Sequence, residues 1–152
     1  MSSSSDKSKA KLPQWDALML ESLKACGWSK EELLRRIHAG ELPQDESEFQ
    51  FDYKLLTATA ASDPAIFQEA VFNGYQIKYS TLRGISSWIL LALGEEPELS
   101  LEPGQESVSA KLSVEERDRL ASTLSYGWVI HGEHQGSAGE KSVYRIEPLH
   151  RL

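Results

Sequence analysis

Two histidines, His131 and His134, stand three residues apart beside Glu133, and their types are those of metal ligands. Imidazole nitrogens bind zinc, and an H-x-x-H pair can share one ion when both side chains lie on one face of a helix. Here the flanking residues alternate as in strands, where side chains three positions apart point to opposite faces. We therefore expect surface histidines at a hairpin tip, and neither a metal site nor another cofactor site.

Cys26 is the only cysteine, and a thiolate could in principle act as a nucleophile. Its neighbours Lys24, Ala25 and Gly27 supply no general base. It also lies at the C-terminal end of a predicted helix, where the helix dipole raises a thiol pKa. The sequence therefore predicts a small buried residue. A lone cysteine forms no intrachain disulfide, which favours a reducing cytoplasm.

No established catalytic motif accompanies these residues. The glycines between His131 and Ser142 lack the Gly-Lys-Ser/Thr sequence of a phosphate loop, and no serine has the G-x-S-x-G flanks of a nucleophile elbow. The pairs Glu31-Glu32 and Glu115-Glu116 open predicted helices, where negative charge complements the dipole. The sequence favours a non-enzymatic protein, and an enzyme whose site is assembled from distant residues remains an alternative.

Aromatic and basic side chains occur together between residues 75 and 83. Tyr75 and Tyr79 share one face of a short alternating segment, which would offer a docking edge if no other strand covered it. Aromatic residues at such spacing are more often core than ligand-binding. The residues that we predict to contact a partner are Tyr75, Lys78, Tyr79 and Arg83, with Arg145 as a lesser contributor.

The elements that would position these residues lie between Asp63 and Gly94. Asp63-Pro64 combines an N-cap with a proline suited to the first helical position, and Asn73-Gly74 is typical of a helix end. Thr81 follows Ser80 as the next capping pair, and apolar residues then recur at helical spacing up to Gly94. We expect this stretch to form the helical core of the protein.

The rest of the chain is predicted to flank that core. The sequence indicates a disordered tail over 1–13, an N-terminal helical pair over 14–43, a central helix-turn-helix-like unit over 51–94 and a C-terminal unit over 107–152. The acidic stretches 41–50 and 95–107 are typical of a boundary and a linker. The predicted fold is mostly α with a small β component, ending in a winged-helix-like helix plus β-hairpin.

Composition and charge limit the classes of function that fit this chain. The formal net charge is −7, and the longest apolar run is far shorter than the ~20 residues that cross a bilayer. We expect a soluble cytoplasmic protein that acts as a regulator or an adaptor through protein contacts and does not bind a membrane.

The alternative is a DNA-binding regulator that uses residues 81–93 or a wing carrying Lys141, Arg145 and Arg151. Against it, charges over 51–94 are balanced, and the 74–80 connection exceeds the usual 3–4-residue turn of a helix-turn-helix. The partner and the oligomeric state are left open.

Overall fold

The structure, a computed structural model, describes residues 10–132 and 140–149. The chain divides into two compact units, the first ending at Gln76 and the second beginning at Ile77. This division lies inside the stretch 51–94, which the sequence predicts as one central unit. Each unit is described separately below.

The first unit is a set of helices with one short pair of parallel strands, β1 and β2. Its elements are β1 (Ala10–Leu12), α1 (Gln14–Lys24), α2 (Lys30–Ala39), α3 (Tyr53–Ser62), α4 (Pro64–Asn73) and β2 (Tyr75–Ile77), whose last residue opens the second unit. Helix α3 packs against α1, α2 and α4, and α4 also contacts β1.

Local signals in the sequence explain where these helices begin and end. The side chain of Asp63 accepts a hydrogen bond from the amide of Ile66 at the start of α4, as the Asp63-Pro64 pair predicts. The hydroxyl of Ser29 accepts one from the amide of Glu32 at the start of α2. Gly40 ends α2 in the left-handed conformation, with φ at 75°.

The core of the first unit is formed by apolar side chains that these helices bring together. Each fully buried leucine or phenylalanine contributes about 1.5–3 kcal/mol relative to an exposed one. The largest fully buried side chains of this unit are Leu12 on β1 and, on the helices, Met19, Leu20, Leu23, Ile37, Leu56 and Phe67.

The second unit is a four-stranded antiparallel sheet with two helical elements. Its elements are α5 (Leu82–Trp88), which continues as a π-helical segment (Ile89–Leu93), then β3 (Glu98–Ser100), β4 (Ser107–Leu112), α6 (Val114–Thr123), β5 (Trp128–His131) and β6 (Ser142–Pro148). The strand order is β3-β4-β6-β5, so the two strands nearest the middle are not consecutive in the chain.

The two faces of this sheet differ in polarity. Val108 pairs with Ile146 and Ala110 with Tyr144, and all four side chains are buried. The alternate positions Lys111 and Val143, also paired, are exposed. Helices α5 and α6 both contact β4. The sheet therefore has one buried face and one exposed face, which is common in antiparallel sheets.

The prediction of a mostly α, winged-helix-like fold is wrong. The described residues are 47% helical and 20% strand, with two sheets, which defines an α+β fold. The C-terminal strand, helix and hairpin occur in the predicted order, but β4 pairs with β6 and β3 extends the sheet to four strands. Strands β1 and β3 have only three residues each, too few to show a period of two, and β1 pairs with a strand that is distant in sequence.

Two segments expected to be irregular also contribute strands. Residues 10–12 of the predicted tail form β1, with Ala10 and Leu12 buried. Residues 98–100 of the predicted linker form β3. Residues 1–9 of the tail lie outside the described residues. Both segments have a polar composition overall, so the apolar residues in them were not recognised as strand positions. These residues are Ala10 and Leu12 in β1 and Leu99 in β3.

Candidate partner-binding surface

Tyr75, the first of the predicted contact residues, lies in the core of the first unit. Its side chain is 3% exposed, and its hydroxyl donates to Oε2 of the buried Glu21 at 2.6 Å. The ammonium of Lys24 lies 5.7 Å from the centroid of the tyrosine ring. In this structure Tyr75 therefore forms part of the packing of the unit and offers no exposed surface.

Lys78, Tyr79 and Arg83 lie in the second unit, and all three are exposed. The side chain of Tyr79 is 77% exposed, which is unusual for a large aromatic residue. Neither Lys78 nor Arg83 forms an ion pair or a side-chain hydrogen bond with any residue of the described ranges. The structure thus presents two unpaired cations on either side of an exposed tyrosine in the chain.

The backbone next to Tyr79 is held by a reciprocal pair of hydrogen bonds. The amide of Ser80 donates to Oγ of Ser125 at 2.9 Å, and the amide of Ser125 donates to Oγ of Ser80 at 3.2 Å. Ser80 is buried, and Thr81 caps α5 by accepting from the amide of Gly84. This pair joins the segment before α5 to the segment after α6.

Tyr126, directly after Ser125, is 87% exposed. Its other neighbour, Gly127, is also held, because the carbonyl oxygen of Gly127 accepts from the amide of Leu149 at 2.7 Å. Leu149 is itself 55% exposed. Hydrogen bonds thus join three chain segments that each carry an exposed apolar side chain. We call Lys78, Tyr79, Arg83, Tyr126 and Leu149 the aromatic surface.

Sequence reasoning found three of these residues and missed Tyr126 and Leu149. Tyr126 lies between a helix and a strand, where a single tyrosine shows no periodicity. The pairing of Ser80 with Ser125 spans 45 residues, and two serines carry no pattern that identifies such a contact. The only local signal is Ser125-Tyr126-Gly127 itself, a turn sequence that holds a large aromatic residue.

Arg145, the last predicted contact residue, lies on the exposed face of β6 and has an acidic partner. Its Nε donates to Oε2 of Glu147 at 2.7 Å, and His131 Nε2 lies 3.3 Å from the other oxygen of Glu147. Lys141, predicted for a DNA-contacting wing, pairs with Glu95 and Glu116. Arg151 lies outside the described residues. Lys141 and Arg145, the two cations of the predicted wing that the structure describes, are thus already paired with carboxylates.

The residues first considered for metal or thiol chemistry are placed as follows. Within 10–132 and 140–149, no three histidine, cysteine, aspartate or glutamate side chains are grouped so as to hold a metal ion. His134 lies outside these ranges. Cys26 is exposed, so the prediction of a buried cysteine is wrong, because α1 ends at Lys24 and the chain turns outward there.

A cleft of about 880 Å³ opens in the first unit beside residues 40–46 and 50–54. Asp45 organises its wall by accepting from the amides of Phe51 and Ser47. Burial raises the pKa of Asp45, but these hydrogen bonds and that of the Ser47 hydroxyl bring the pKa below its ordinary value. Burial raises the pKa of Tyr53, which also lines the cleft. The carboxylate of Asp45 therefore supports the loop.

Comparisons with protein-family models, with curated proteins and with solved structures found no match to this chain. Of the helices within the described ranges, none has the length and apolar character needed to cross a membrane.

Proposed function

We propose that this chain is a small regulatory or adaptor protein that acts through protein contacts made by its aromatic surface. The observation that carries the proposal is the pair of exposed tyrosines, Tyr79 and Tyr126, directly beside the hydrogen-bonded serines Ser80 and Ser125. Tyrosine is enriched at protein interfaces because it buries a large area and loses little conformational entropy. Fixing the backbone beside both residues lowers the entropic cost of binding further.

The DNA-binding alternative has less support. Contacts to a duplex neutralise several phosphates, whereas Lys141 and Arg145 already have acidic partners. We also propose a cytoplasmic location, because a reducing compartment would preserve the exposed thiol of Cys26.

Site-specific photocrosslinking tests the proposed function. A benzophenone amino acid placed at Tyr79, in the full-length chain inside the cells that produce it, should form crosslinks whose partners are identified by mass spectrometry. The matched control places the same group at Leu55, an exposed apolar residue of the first unit. Protein crosslinks specific to position 79 support the proposal, whereas none there, or the same products at both positions, would reject it.

A further inference from the structure

We infer that the occupant of the aromatic surface is an acidic peptide segment of the partner, an inference that rests on the proposed function. The starting point is the charge of this surface against the rest of the chain. The formal net charge is −7, and acidic side chains outnumber basic ones by 23 to 16. Against this acidic background, Lys78 and Arg83 place two exposed positive charges near the exposed Tyr79 in the chain.

Several basic residues of the described ranges pair with a carboxylate, whereas others, such as Lys54 and Lys111, have no ion pair within those ranges. Arg35 and Arg36 both bind Glu32, at 2.8 Å each, and Lys141 binds Glu95. Within the described ranges Lys78 and Arg83 also have no carboxylate partner, and they differ from Lys54 and Lys111 in standing on either side of an exposed tyrosine, Tyr79, in the chain. The two positive charges of the aromatic surface are therefore available to a carboxylate from another molecule.

The chemistry of the two cations suits carboxylates at separate positions of an extended chain. Lys78 precedes Tyr79, and Arg83 lies in the first turn of α5. A guanidinium binds a carboxylate through two parallel hydrogen bonds, and an ammonium acts as a point charge. Tyr79 stands between the two cations in the chain, and its exposed ring suits an aliphatic or aromatic side chain of the same peptide.

A nucleic acid fits this surface less well than a peptide. Exposed tyrosines can stack on bases, but single-stranded binders also align many cations along the phosphate backbone. Here the unpaired cations of the surface are Lys78 and Arg83, while Arg145 of the same unit is partnered by Glu147. Two charges match the carboxylates of a short acidic segment.

Fluorescence anisotropy with a defined probe tests the inference. The probe is a short glutamate-rich peptide with a central leucine, titrated with the full-length protein, and its control replaces every glutamate by glutamine. We expect the acidic probe to bind, and to bind less tightly as salt is raised. The double variant Lys78→Glu/Arg83→Glu should bind it about tenfold less tightly, since two attractions become repulsions.

A matched charge reversal makes the result specific. Lys54 is an exposed cation of the first unit that has no ion pair within the described ranges, and Lys54→Glu reverses one charge, half of the change made in the double variant. This variant should bind the acidic probe within about twofold of the parent protein. Circular dichroism and urea unfolding establish that each variant is folded.

Several results would overturn the inference. These are no binding of the acidic probe, equal binding of the glutamine control, equal weakening by Lys54→Glu, or tighter binding of a single-stranded oligonucleotide, which would favour nucleic acid. Photocrosslinks from position 79 to protein segments without acidic residues would contradict the inference that the occupant is acidic. They would still support the proposed function. An absence of protein crosslinks would reject the function itself.

Discussion

Ser80 and Ser125 exchange hydrogen bonds so that the amide of each residue donates to the hydroxyl of the other, at 2.9 and 3.2 Å. Each serine is both an acceptor through its side chain and a donor through its backbone. The residues next to this pair, Tyr79 and Tyr126, are both largely exposed. The pair therefore holds two distant segments of the second unit in the arrangement that presents the tyrosines.

Replacing either serine by alanine should destabilise the protein. Ser80→Ala removes the acceptor for the partly buried amide of Ser125, and an unsatisfied buried donor costs about 1–3 kcal/mol, with a smaller cost where the donor is only partly buried. Ser125→Ala does the same to the amide of Ser80. Urea unfolding measures both losses, and Ser86→Ala on α5 is the control. Losses no larger than that of the control would show that the reciprocal bonds do not stabilise the unit.

The hydroxyl of Tyr75 should matter more than that of Tyr53, although both tyrosines are buried. Tyr75 donates to the carboxylate of Glu21, whereas the hydroxyl of Tyr53 pairs with that of Ser22 at 2.6 Å. Hydrogen bonds to charged groups contribute about 1.5–3 kcal/mol and neutral ones about 1 kcal/mol. Tyr75→Phe should therefore lower the free energy of unfolding more than Tyr53→Phe, and the reverse order would contradict the assignment.

Gly132 should tolerate alanine less well than Gly104. Both glycines have positive φ, at 131° and 80°, which strains any side chain. At Gly132 an added Cβ would also lie 2.9 Å from the carbonyl oxygen of Val143, while at Gly104 it would meet nothing within 4 Å. We expect Gly132→Ala to cost about 1–3 kcal/mol more than Gly104→Ala in urea unfolding. Equal costs would mean that β5 and β6 do not approach closely there.

The carboxylate of Glu32 should titrate far below an ordinary glutamate. Hydrogen bonds from Arg35 and Arg36, assisted by their charges, lower its pKa to about 2. Since the folded pKa lies below the unfolded value of about 4.3, this group stabilises the fold above that value. The contribution is lost as pH falls from about 4.3 towards 2. Carbon-detected NMR titration measures the pKa directly, and a value near 4.3 would show that neither arginine binds it in solution.

The sequence predicted the helical elements better than the sheets. Asp63-Pro64 marked the start of α4 and Asn73-Gly74 marked its end, because these signals are made by residues close in sequence. Strands β1 and β3 escaped notice because three residues show no clear period; the partner of β1 is also distant in sequence, whereas β3 pairs with the next strand, β4. The π-helical segment after Trp88 also has no distinct apolar pattern.

The same difference between local signals and contacts of distant residues explains which residues of the aromatic surface the sequence predicted. Lys78, Tyr79 and Arg83 are close together in the sequence, so local reasoning placed them on one surface. Tyr75 shares the alternation of Tyr79 but is buried, because Glu21 on α1 supplies a partner for its hydroxyl. Tyr126 joins the surface through a contact 45 residues away, which only the folded chain displays.

Amide chemical-shift mapping of the full-length protein with the glutamate-rich peptide tests the central claim most directly. We expect the largest shifts at residues 78–83 and 125–127, in both segments together, since the reciprocal serine bonds make them one surface. We also expect these shifts to disappear in the Lys78→Glu/Arg83→Glu variant. Shifts confined to the cleft of the first unit, or to only one of the two segments, would contradict the account.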